Sequence, residues 1–184
     1  MGATVDELET KFRKSLSNKR TENSGLVLLL SDARFQLLDL ATKRRVLEML
    51  PVSGEWGTQT FDAVMTPEPA EPLTITNIDR QFDVLTLVEM KTTKKPIKTT
   101  SLNGFFFGAT DREYQMARAL GDKYKFAFCV LNDQNDYGHP FFVLLTLAQV
   151  ETRTRAKRLQ YQVNFKTDMA DAEAFPHSGW GPSI

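Results

Sequence analysis

The apolar positions along the chain change period more than once. Val5, Leu8, Phe12 and Leu16 recur every 3 or 4 residues, and Thr4-Val5-Asp6-Glu7 has the spacing of a capping box, so the first segment predicts a helix. Ser17–Ser24 is polar and ends in Ser24-Gly25, which predicts a break. Leu26–Leu50 is rich in leucine, with Asp32 and Thr42 as caps and Pro51 as a stop, and predicts two or three packed helices. From Ser53 the composition shifts. Thr60–Thr66, Leu73–Ile78 and Val84–Thr92 are rich in Val, Ile, Thr, Phe and Leu and predict strands. Pro67–Pro72 carries three prolines and separates the first two as a loop, and Asp79–Asp83 predicts a turn before the third. Lys94–Asn103 reads as a polar loop. Thr110-Asp111-Arg112-Glu113 is a second capping box, and Tyr114, Ala117 and Leu120 carry its helix to Gly121. Lys125–Leu131 and Phe141–Leu147 predict apolar strands on either side of a polar turn, and Tyr161, Val163 and Phe165 alternate as in a half-buried strand.

These elements predict one α/β (α+β) domain over 1–184. It has a helical part over 1–51, a sheet core over 56–166 with its helix at 111–121, and a tail over 167–184. The composition is that of a globular protein: 41% hydrophobic and 25% charged residues exclude wholesale disorder and a fibrous chain. The 23 Lys+Arg balance the 23 Asp+Glu, so total charge gives no sign of a nucleic-acid partner. The single cysteine, Cys129, excludes an internal disulfide, and its apolar neighbours make it a core residue. No basic-then-apolar leader opens the sequence, and apolar runs such as Leu26–Leu30 are too short for a bilayer. A cytoplasmic location without membrane contact is expected. His139 and His177 lack zinc-ligand spacing, and no phosphate-binding glycine loop or serine elbow is present.

The segment that carries chemistry is Phe82-Asp83-Val84-Leu85-Thr86-Leu87-Val88-Glu89-Met90-Lys91-Thr92-Thr93. On a strand, residues 89 and 91 share a face, roughly 6–7 Å apart. A Glu and a Lys on a strand this apolar must be paired or engaged by a ligand. An ion pair at the strand end accounts for both. So does a divalent cation such as Mg²⁺ on Glu89 with a phosphate and a water beside Lys91.

The triplet and the order strands, helix, strand resemble the PD-(D/E)XK nuclease superfamily, which includes many restriction endonucleases. Glu89-Met90-Lys91-Thr92-Thr93, the capped helix with Glu113, and Gly121-Asp122-Lys123-Tyr124 are similar to its restriction-related members. The resemblance covers about Thr60–Leu131. It implies a central mixed β-sheet flanked by helices, a restriction-endonuclease-like fold. It further implies an Mg²⁺-dependent deoxyribonuclease, with Mn²⁺ as a substitute, that hydrolyses double-stranded DNA as a homodimer. Glu89 is then a metal ligand, Met90 supplies a backbone carbonyl, and Lys91 orients the attacking water. The first acid of the pattern has more than one candidate. Asp83 lies six residues before Glu89, but along a straight strand the two would be on the order of 20 Å apart. Asp62 falls opposite Glu89 if Pro67–Asp83 is an insertion. These two rank level as metal ligand and catalytic acid, with Asp79 behind; each also reads as a turn cap or a solvent-facing strand residue.

Lys94, Lys95 and Lys98 form one basic cluster, and Arg153, Arg155, Lys157 and Arg158 a second. Either can meet DNA phosphates or simply face solvent. Phe105-Phe106-Phe107 can stack bases, though three phenylalanines ahead of a helix are more often core. The alternative to a nuclease is a catalytically inactive nucleic-acid-binding or interaction module of the same fold. A scaffold subunit with solvated basic faces comes third.

Overall fold

The computed structural model describes residues 19–52, 54, 56–97, 102–132 and 138–154. The chain divides into two units, Met1–Arg153 and Thr154–Ile184. Apart from Thr154, the second unit lies outside the described residues, as do the first capping box and the Tyr161–Phe165 alternation. In the first unit, helix α1 runs through residues 19–30, followed by β1 (Phe35–Gln36), α2 (Leu40–Met49) and β2 (Ala63–Met65). The short helix α3 (Ile78–Gln81) and a 3₁₀ turn at Phe82–Val84 lead into β3 (Thr86–Thr93). Helix α4 (Asp111–Leu120), β4 (Tyr124–Val130), β5 (Phe141–Leu145) and α5 (Leu147–Arg153) complete it.

The five strands form one mixed sheet in the order β1-β2-β3-β4-β5. Only the β3–β4 pair is parallel, and α4 lies in its crossover. Alternate residues of the central strands point to opposite faces. Val64, Leu87, Phe126 and Phe128 pack on one face with Val46 of α2, Met116 and Ala117 of α4, and Leu147 and Val150 of α5. Ala63, Val88, Ala127 and Cys129 pack on the other with Leu29 of α1 and Phe35. Helices therefore flank the sheet on both sides. Cys129 is a buried core residue, its thiol pushed up to about 12 by burial and then by Asp62.

Helix α4 starts and stops as its sequence predicts. Thr110 Oγ1 accepts the Glu113 N–H at 3.2 Å, and the Glu113 carboxylate accepts the Thr110 N–H at 3.1 Å. Gly121, at φ 56°, ends it. Several other expectations are corrected. Ser24-Gly25 does not break the helix: α1 runs through it, and Gly25 lies against β3 where a Cβ would run into the Thr92 side chain. Within Leu26–Leu50, Phe35–Gln36 is an edge strand rather than helix, held by pairing to β2 and by an edge-on contact of Phe35 with Phe142. Leu73–Ile78 is no strand. The Thr74 N–H donates to Asn77 Oδ1 at 2.8 Å, closing a turn that opens α3. Phe141–Leu147 stops as a strand at Leu145, because Thr146 and Gln149 cap α5 reciprocally, at 3.3 and 3.0 Å.

Candidate active site

Strand β3 presents Leu87, Glu89 and Lys91 to the face covered by α2, α4 and α5. Leu87 joins the core, and the two charged residues follow beyond it. Ala63 pairs with Val88, so the antiparallel register brings Asp62 level with Glu89. The Asp62 N–H donates to the Val88 carbonyl at 2.9 Å, and Asp62 Oδ2 accepts the Met90 N–H at 2.8 Å. In an antiparallel ladder a residue's N–H and carbonyl face the same neighbour, so the Met90 carbonyl is also on the Asp62 side. The segment 67–83 loops out between two adjacent strands, which is the arrangement that makes Asp62 the neighbouring acid.

Lys91 Nζ donates to Glu89 Oε1 and to Glu113 Oε2, both at 2.8 Å. Glu113 is the capping residue of α4, so a single carboxylate holds the helix start and the strand lysine. The Lys91 side chain is only 13% exposed, and those of Glu89 and Glu113 are 8%. Glu89 Oε2 is buried and accepts no hydrogen bond. An unsatisfied buried carboxylate oxygen is costly. Burial, and then the Asp62 carboxylate, push the Glu89 pKa up to about 8, although Lys91 pulls it down. Burial also opposes the Lys91 charge, but Glu89 and Glu113 outweigh it and hold the ammonium above its ordinary range.

Lys43 of α2 is the second cation here. Its Nζ donates to the Phe61 carbonyl at 2.9 Å and sits 5.0 Å from the centre of the Phe61 ring. Burial lowers its pKa, while Asp62 and Glu89 act the other way.

Of the sequence candidates, Asp62, Glu89, Met90 and Lys91 come together. Asp83 does not join them. It sits in the 3₁₀ turn before β3 and lines a cavity of about 370 Å³ with Met49, Leu50, Leu85, Leu120 and Lys123. It is absent from the charges that act on Glu89. Asp79 is held by Arg45 at 2.9 and 2.6 Å. Lys94 and Lys95 are exposed just past β3, and Lys95 Nζ reaches the Gly104 carbonyl at 3.3 Å. Arg153 ends α5 and donates to the Gln149 carbonyl at 3.0 Å. Lys98, Arg155, Lys157 and Arg158 lie outside the described residues. Phe105 and Phe107 pack edge-on against Phe128, while Phe106 is 81% exposed. Two site residues escaped the sequence reading. Glu113 was legible only as a cap, and nothing in the pattern of α2 marks Lys43 apart from Arg44 and Arg45.

The donor set has the chemistry of a hard divalent cation site: two carboxylates on adjacent strands, one with a buried oxygen lacking any partner, and a backbone carbonyl beside them. Among the described residues, no three His, Cys, Asp or Glu side chains are grouped to hold a metal. The groups that could hold a cation here are the two carboxylates and the Met90 carbonyl. No described helix is long and apolar enough to cross a membrane.

A mixed five-stranded sheet with helices on both faces and a buried acid–lysine cluster define the chain as an α+β protein. No family model, curated protein or solved structure matches it.

Proposed function

We propose that this protein is a metal-dependent DNA endonuclease of the restriction-endonuclease-like class, acting on double-stranded DNA with Mg²⁺, or Mn²⁺ in its place. The observation that carries the reading is the juxtaposition of Asp62 and Glu89 across β2 and β3, with a partnerless Glu89 oxygen and Lys91 two residues on. The strand arrangement supports it as well: an antiparallel β1-β2-β3 meander, a capped helix, and β4 parallel to β3. In this reading Asp62, Glu89 and the Met90 carbonyl hold the cation. Bound there, Mg²⁺ supplies charge neutralisation at the scissile phosphate and a more acidic water. Lys91 keeps its proton, because two carboxylates stabilise its charge, and it orients the attacking water by hydrogen bonding. Glu113 holds Lys91 from the far side, so its ammonium stays fixed when Glu89 turns to a cation. Cutting both strands with one such site per chain needs a two-fold homodimer or sequential nicking, and the homodimer is the expected form.

One observation favours the alternative of a binding module without catalysis: Lys91 is already closed into ion pairs with both glutamates. Cleavage of supercoiled plasmid in Mg²⁺ by wild type and by Glu89→Ala separates the two readings. Nicked or linear product from wild type and none from the variant is expected. Equal cleavage by both, or none by either, overturns the nuclease assignment.

A further inference from the structure

Lys43 is a half-buried cation that the chemistry above does not use. Its ammonium sits over the Phe61 ring and holds the carbonyl of Phe61, the residue just before Asp62. Asp62 and Glu89 both act electrostatically on it. Yet among the described residues no carboxylate oxygen forms an ion pair with it, although Lys91 nearby has two. An ammonium has three donors, and the Phe61 carbonyl takes one. An anionic group at the acid pair would find two further N–H donors on the α2 side.

We infer that Lys43 is a phosphate-positioning residue. It fixes the Phe61–Asp62 backbone and offers its remaining donors to a non-bridging oxygen of the DNA phosphate at the acid pair. The inference rests on the nuclease reading. It gives the phosphate two lysines from different elements, Lys43 of α2 and Lys91 of β3. A lysine suits this task because it is a point charge on a flexible stem that the Phe61 ring can steer.

The test uses the full chain, with Lys43→Met to keep the stem and remove the charge, and Lys43→Arg to restore it. In Mg²⁺, Lys43→Met is expected to lower the cleavage rate at saturating DNA by about 10- to 100-fold, and Lys43→Arg to recover much of it. A second measurement does not depend on turnover. In the Glu89→Gln background without metal, DNA affinity is measured from 50 to 200 mM NaCl. Adding Lys43→Met is expected to make the slope of log affinity against log salt shallower by about 0.9, the loss of one phosphate contact. A lysine that served the fold alone would change thermal stability and leave that slope unaltered. Wild-type cleavage matched by Lys43→Met, beside an inactive Glu89→Ala, overturns the role of Lys43 and leaves the nuclease reading standing. An unchanged salt slope also overturns it. A wild type that does not cleave overturns both.

Discussion

Glu89 puts the price of the site within reach of a stability measurement. Its carboxyl titrates at about 8 in the fold, against 4.5 when unperturbed. Between these values the folded chain keeps a proton that the unfolded chain has released. The native state then binds more protons, so stability falls as pH rises through this window. The contribution is fully present below pH about 4.5 and is lost by about pH 8. The difference is worth on the order of 5 kcal/mol by linkage, as an upper bound, since Lys91 and water relax around the charged form. Glu89→Gln removes the titration and keeps the shape and the hydrogen bond to Lys91. At pH 5, Gln and protonated Glu are near-equivalents, so the two proteins should agree within about 0.5 kcal/mol. At pH 9 the variant should be more stable by roughly 1–3 kcal/mol, because loss of the Lys91 pair offsets part of the gain. Urea unfolding at pH 5, 7 and 9 measures this directly. Other titrating groups cancel in the difference between the proteins, apart from those in the same cluster: Asp62, Lys91, Glu113 and Lys43. Parallel pH profiles, or a variant destabilised equally at pH 5 and pH 9, would refute the argument that burial and Asp62 hold Glu89 protonated.

Register separates the two aspartates: Asp62→Asn should reduce plasmid cleavage by about 100-fold or more, while Asp83→Asn should stay within about threefold of wild type. Mg²⁺ should stabilise wild type in thermal melts at pH 8, by about 3 kcal/mol at a hundredfold excess over its dissociation constant. Glu89→Gln should lose most of that gain, and an equal gain in both would place the cation elsewhere. Glu113→Ala removes the α4 capping box and one of two partners of Lys91, so urea unfolding should show a loss of about 2–4 kcal/mol. A loss below about 0.5 kcal/mol would mean that Glu113 does not secure the buried lysine.

Elements whose signals are local could be read from the sequence. The Thr110-to-Glu113 box and Gly121 delimit α4 because both ends are settled within a few residues. The apolar runs around Val88 and Phe128 mark the two central strands. What failed depends on distant partners. Phe35–Gln36 is a strand only because β2 lies alongside. Leu73–Ile78 has strand composition, but an Asn77 side chain turns the backbone at Thr74. At the site, Glu89 and Lys91 stand out because charge is rare on a buried strand. Asp62 against Asp83 could not be decided by spacing, since the answer lies in which strand pairs with β3 and in what register. Lys43 left no signal at all: its place at the site comes from where α2 lands on Phe61.

In the proposed nuclease reading, the charge balance of the site bears on how DNA can approach it. Asp62, Glu89 and Glu113 bring three carboxylates, and Lys43 and Lys91 two ammonium groups. Fully ionised, the cluster carries one net negative charge, and a phosphate oxygen arriving there would meet repulsion in a poorly solvated place. Proton uptake by Glu89 cancels that charge, and so would a divalent cation with one charge to spare. The two compete for the same carboxylate, whose upward-shifted pKa places the proton form in the neutral range. Below pH about 8 a cation must displace a proton at Glu89, and above it the site binds the cation without that cost. Metal affinity, rather than the proton inventory of Lys91, should therefore set the lower pH limit of cleavage. Raising Mg²⁺ from about 1 to 10 mM should move that limit to lower pH by up to about one unit, as expected when one proton competes with one cation. A limit that stays fixed as Mg²⁺ rises would assign it to a group outside the cation site.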